Sequence, residues 1–173
     1  MANYYGVTRT NYVRLKDELA YEQFAQVVAL LGGDTEERTK DGVRTIAAFG
    51  NEEDGGFASS VDAEELVESG YVSRNPDSVL NATLAEYSAD ENGERELDEV
   101  DFNDDIQFEL YPLLAEGEVL VTQSSGAEKQ RYVCGYAEAI SWTGECVAVN
   151  INDIYKKAKE AFKLDKEPSS ASY

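Results

Sequence analysis

The side chains able to do chemistry in this chain are overwhelmingly carboxylates: 35 Asp and Glu stand against 15 Lys and Arg in 173 residues, a net charge of −20. The densest run reaches from Glu86 to Glu118. It holds Asp90, Glu91, Glu94, Glu96, Asp98, Glu99, Asp101, Asp104, Asp105 and Glu109, with Arg95 its one base. A smaller run, Glu52, Glu53 and Asp54, is followed by Asp62, Glu64 and Glu65. Carboxylates offer three chemistries. Hydrolytic acid–base work needs one protonated and one ionised group at a fixed separation across a cleft. Here the acids are many and crowded and read as a solvated face, so no catalytic residue is assigned. An EF-hand calcium loop needs ligands at positions one, three and five, glycine at six and glutamate at twelve. Counted from Asp90, Arg95 displaces the glycine and Asp101 stands twelfth; counted from Asp101, the twelfth place is Pro112. No metal site is assigned. What survives is ion pairing with the Lys and Arg of a partner.

Other chemistry is excluded by what is missing. The sequence has no histidine, which removes His-based triads, imidazole metal ligands and histidine pH switches. Its two cysteines, Cys134 and Cys146, are too few for a disulfide scaffold or a four-cysteine zinc site, and each lies in an apolar run that suits an inert buried thiol. No Gly-x-x-x-x-Gly-Lys or Gly-x-Gly-x-x-Gly pattern occurs, so no nucleotide cofactor is expected, and the chain reads as a non-enzyme. No stretch approaches the roughly 18 apolar residues of a membrane span, and Met1–Tyr5 lacks a leader's basic and apolar regions. A cytoplasmic location in the host cell is expected.

The charge is segregated. Residues 1–50 carry 7 acids and 6 bases, residues 119–173 carry 7 and 7, and residues 51–118 carry 21 acids against only Arg74 and Arg95. Such an excess cannot neutralise phosphates and is repelled by anionic membranes, so neither nucleic acid nor membrane is a direct partner. It can imitate phosphates instead. Duplex DNA carries one charge per about 1.7 Å of axis, so the central carboxylates match roughly 36 Å, close to the width of about 40 Å expected of a domain this size. The expected function is a non-enzymatic inhibitor that fills the Lys/Arg-rich groove of a basic nucleic-acid-binding host protein by competitive exclusion. Two alternatives stay open: an acidic protein–protein interaction module for a basic partner without nucleic-acid competition, and a divalent-metal-binding protein.

The opening Asn3-Tyr4-Tyr5-Gly6-Val7-Thr8-Arg9-Thr10-Asn11-Tyr12, with Gly126-Ala127-Glu128-Lys129 and Arg131-Tyr132, resembles small acidic proteins encoded by phages and plasmids. The similarity covers mainly the N-terminal strand and the C-terminal third, and least the acidic middle. No site residue transfers from that group. The resemblance implies a mobile-element setting, in which small acidic proteins inhibit host defence as anti-CRISPR and anti-restriction proteins do, and hence a CRISPR or restriction complex as the partner.

The elements that must position these groups read as α+β: one domain over 1–164 with a mostly antiparallel sheet covered by helices, the acidic segment 51–118 within it, and a disordered tail over 165–173. Val7–Leu15 reads as a strand. Asp17 caps a helix in which Tyr21, Phe24, Val27, Val28 and Leu31 recur at helical spacing, stopped by Gly32-Gly33. Asp41-Gly42 between Thr35–Thr39 and Val43–Phe49 signals a hairpin. Gly55–Val61 suits a short strand, Ala63–Ser69 a short helix, Val79–Tyr87 either, and Asp90–Asp101 an acidic loop. Ile106, Leu110, Leu113 and Leu114 form one stripe of a helix kinked at Pro112, with Asp105 and Glu109 on its exposed face. Strands follow at Glu118–Gln123, Gln130–Trp142 and Cys146–Ile151. A two-residue turn at Thr143-Gly144 sets Ile140 against Val147 and Glu138 against Val149. One face then gathers Tyr136, Ile140, Trp142, Val147, Val149 and Ile151, the other Gly135, Ala137, Ala139 and Ala148, and the two cysteines point apart as free thiols. A final helix starts at Asn152 or Asp153.

Overall fold

The computed structural model describes residues 4–50, 56–58, 60–75, 78, 80–81, 99–101, 106–128 and 132–168. The chain runs β1 (Tyr4–Thr10), α1 (Glu18–Leu30), β2 (Gly33–Lys40), β3 (Val43–Gly50), β4 (Ser60–Asp62) and α2 (Ala63–Glu68). It continues through β5 (Glu99–Asp101), α3 (Ile106–Leu110), a 3-10 turn at Tyr111–Leu113, β6 (Val119–Glu128), β7 (Tyr132–Ser141), β8 (Cys146–Asn150) and α4 (Asp153–Phe162). Six strands form an antiparallel sheet in the order β2-β3-β1-β6-β7-β8, while β4 and β5 make a separate two-stranded ladder. The fold is α+β, as its sequence pattern indicates.

Local chemistry explains the first half. The Asp17 side chain accepts from Ala20 N at 2.8 Å and starts α1, whose Tyr21, Phe24, Val27 and Val28 are buried against the sheet. Gly32 takes a positive φ of 68° and ends it. Asp41 and Gly42, at φ 53° and 78°, supply the left-handed pair that a tight hairpin turn demands, and Lys40 pairs with Val43. The first strand is shorter than its Val-, Thr- and Tyr-rich run suggests. At Asn11 the side-chain amide donates to Val119 O while its oxygen accepts from Val121 N, and beyond this clamp Val13 bridges to Ile46 and Leu15 to Leu114.

Helices cover one face of the sheet. Phe24, Leu31, Ile46, Leu66, Tyr71, Leu80, Leu110, Leu113, Leu114, Leu120 and Ile140 make a continuous core there. Pro112 converts the end of α3 into the 3-10 turn, and the whole expected stripe, Ile106, Leu110, Leu113 and Leu114, is buried.

The last hairpin corrects the sequence reading. Ile140 pairs with Cys146, Ala139 with Val147 and Glu138 with Ala148, one residue out of the expected register. The turn holds three residues, Trp142-Thr143-Gly144, closed by Gly144 N to Ser141 O at 2.9 Å and Ser141 N to Glu145 O at 2.8 Å, with Gly144 at φ 86°. Because side chains alternate, one residue of slip moves the whole of β8 to the other face. Cys146 and Ala148 therefore share the covered face with Ile140, and Val147, Val149 and Ile151 lie on the open face with Gly135, Ala137 and Ala139. Cys146 is exposed, so the buried reading of that thiol does not hold, while the side chain of Cys134 lies outside what the structure describes. Cys134 pairs with Gly126 six positions along β7 from Cys146's partner, about 20 Å away at 3.4 Å per residue.

Within the segment read as a loop, Glu99–Asp101 is strand β5; 90–98 lies outside the described residues, as does most of 79–87, of which Leu80 and Asn81 are helical. Residues 165–168 are exposed and without regular structure, and 169–173 lie outside the described residues.

Candidate acidic interface

The β4–β5 ladder joins the two acidic runs. Val61 pairs with Val100 at its centre, and Asp62 stands opposite Glu99 and Ser60 opposite Asp101. Val61 is buried while Ser60 and Asp62 are not. Asp62 then turns the chain into α2: its Oδ1 accepts from Glu64 N at 2.8 Å and Glu65 N at 3.0 Å. Ala63 and Leu66, three apart, bury one side of α2, which leaves Glu64, Glu65 and Glu68 in solvent. Directly opposed like charges on paired strands destabilise a ladder by about 0.2–1 kcal/mol, and here they are retained.

The described ion pairs fall on other acids: Arg14 with Glu118, Arg38 with Glu36, and Arg44 with both Glu18 and Glu37. Arg74 is the described base of the acidic middle, and it reaches out of that middle to Asp17 at the start of α1, 3.1 Å away. That guanidinium, with the Ala20 amide, holds the Asp17 carboxyl below its ordinary pKa. Among the described residues no ion pair involves Asp62, Glu64, Glu65 or Glu68.

The structure treats the expected surface residues differently. Glu64 and Glu65 are exposed, and Glu99 and Asp101 flank the ladder. Glu52, Glu53, Asp54, Asp90, Glu91, Glu94, Glu96, Asp98, Asp104 and Asp105 lie outside the described residues. Glu109 is a correction. It is buried, 5% exposed, and accepts from Ser73 Oγ at 2.6 Å; on α3 it is Phe108 that faces solvent. The partner that draws Glu109 inward lies 36 residues away, beyond the reach of helical periodicity.

No family model, curated protein or solved structure matches the chain. The site is therefore read from its own residues. Asp62 and Glu68 complete it, and Asp62 was legible from its capping position before Ala63-Glu64-Glu65. A second polar cluster had no local signal, because three elements build it. On the covered face, Glu138 of β7 accepts from Gln107 Nε2 of α3 at 2.8 Å, from Cys146 Sγ of β8 at 2.6 Å and from the Tyr136 hydroxyl. Nearby in sequence to Ser73, the Tyr71 hydroxyl is held well above its ordinary pKa by burial and stays protonated. No group of three or more His, Cys, Asp or Glu placed to hold a metal ion occurs among the described residues, and no described helix is long and apolar enough to cross a membrane.

Proposed function

We propose that the protein is a non-enzymatic inhibitor of a host nucleic-acid-binding defence complex, of anti-CRISPR or anti-restriction type, that presents carboxylates where its partner's Lys and Arg hold phosphates. The observation that carries this reading is an exposed acidic run, Asp62, Glu64, Glu65 and Glu68, that enters no ion pair among the described residues and adjoins the ladder positions Glu99 and Asp101, while Arg74 pairs with Asp17. Acids left unpaired in the free protein are those a basic groove can pair without first breaking an internal bridge. The resemblance of the N-terminal strand to phage and plasmid proteins supports the mobile-element setting.

The test is competition. Host proteins retained on the immobilised chain at about 50 mM salt and released at about 500 mM are identified, and the purified partner is titrated with labelled DNA or RNA in the presence of the chain. Displacement of the nucleic acid, lost on combined Glu64→Gln, Glu65→Gln, Glu68→Gln and Asp101→Asn substitution, supports the reading. A ternary complex of partner, nucleic acid and chain refutes competition and leaves an acidic interaction module.

A further inference from the structure

Strands β2 and β8 close the two ends of the six-stranded sheet, and their chemistry differs. β2 reads Gly-Asp-Thr-Glu-Glu-Arg-Thr-Lys, and its charged side chains are what keep an edge from pairing with another chain. β8 reads Cys-Val-Ala-Val-Asn, with neither charge nor proline, and all of it is exposed. Among the described residues no strand lies beyond it. The bonds from Ser141 N to Glu145 O and from Ile151 N to Gly135 O set the phase of the ladder, so 145, 147, 149 and 151 turn their main chain toward β7. Ala148, between them, turns its N–H and C=O outward. The outward N–H of Asn150 is closed by Asp153 Oδ2 at 2.9 Å, which confines any pairing to the middle of the strand.

Beside that edge the open face carries Val147, Val149 and Ile151, exposed by 70, 50 and 48%, with Ile154 of α4 at 57%. Contiguous apolar groups this exposed mark an association surface. Charge selects the occupant. Residues 119–173 balance 7 acids with 7 bases, whereas 51–118 hold the excess. The described acidic element sits at the far end: Gln23 and Gln26 of α1 bond Val72 O and Ser69 O beside α2, and α1 packs over β2 and β3. Two copies of so acidic a chain can approach edge to edge through β8 with these elements held apart.

We propose that the protein forms a symmetric homodimer by antiparallel pairing of β8 with β8 of a second copy, centred on Ala148. Ala148 exchanges both main-chain hydrogen bonds with its counterpart. Val147 of each chain packs on Val149 of the other as a non-hydrogen-bonded pair, with Cα atoms about 4.5 Å apart. The interface is isologous, and the two sheets become one. Dimerisation is independent of what the acidic surface binds.

Light scattering on gel-filtered protein at about 0.15 M salt, from about 1 to 100 μM, should give the mass of two chains at the upper end. Ala148→Pro removes the outward donor at a position where an edge strand tolerates proline, and Val147→Lys sets two cations in the seam. Each should restore the single-chain mass with an unchanged circular dichroism spectrum; if the proline variant unfolds, Val147→Lys on an exposed side chain decides alone. In a Cys146→Ser background, Val147→Cys with Val149→Cys should close intermolecular disulfides on oxidation. A wild-type chain that is monomeric at about 100 μM overturns the proposal, even if it adds a strand of some other protein. So does a dimer that survives both variants, or one in which the cysteine pair does not cross-link.

Discussion

Asp62 holds two roles that substitution can separate. It caps α2 through bonds from Glu64 N and Glu65 N, and it stands opposite Glu99 in the ladder. Asp62→Ala removes the acceptor from both amides, which costs about 1 kcal/mol, within a range of about 0.5–2. In a chain of this length that lowers Tm by about 2–4 °C. Asp62→Asn keeps an equivalent acceptor and removes only the charge. Relief of the repulsion across the ladder gives back about 0.2–1 kcal/mol. Loss of a negative charge at a helix N-terminus takes away about 0.3–1 kcal/mol. The two nearly cancel, so Asp62→Asn should be neutral within about 0.5 kcal/mol, and the gap between the variants should persist at high salt because it comes from hydrogen bonds. Urea melts followed by circular dichroism at about 20 and 500 mM salt measure this. If Asp62→Asn is as destabilising as Asp62→Ala at both, the side chain acts as a charge and the capping argument is wrong. Binding should show the opposite pattern: both variants lose one carboxylate and should weaken partner capture alike.

Three further outcomes follow from the packing. Ile140→Ala should cost about 2–5 kcal/mol in a urea melt, whereas Val147→Ala in dilute, monomeric protein should stay within about 0.5 kcal/mol; equal losses would restore the two-residue turn and its register. Gly144→Ala forces a side chain into φ 86° with its Cβ 3.2 Å from the Tyr111 ring, and should lower stability by about 1–3 kcal/mol on the same assay. The Asp17 and Glu37 carboxyls are held below their ordinary values of 3.8 and 4.5, Asp17 chiefly by Arg74 and Glu37 chiefly by Arg44. A depressed folded pKa adds stability that is complete above the unfolded value and is lost as pH falls through the folded one, so the urea midpoint should drop from about pH 5 downward. Asp17→Asn should flatten that drop.

Much of the architecture was written in short stretches of sequence. The cap at Asp17, the stripe from Tyr21 to Leu31, the Asp41-Gly42 turn and the buried face of Ile106, Leu110, Leu113 and Leu114 all depend on residues within a few positions of one another. The charge segregation was equally plain. Three features were decided only in the folded chain. The side of β8 hung on one extra residue in the Trp142–Gly144 turn, which a period of two converts into a complete change of face. The burial of Glu109 depended on Ser73, and the ion pair of Asp17 on Arg74. Local spacing determines which elements form, because capping and periodicity act within a turn or two; which carboxylates are buried and which are ion-paired depends on groups 36 and 57 residues apart, and only tertiary packing brings those together.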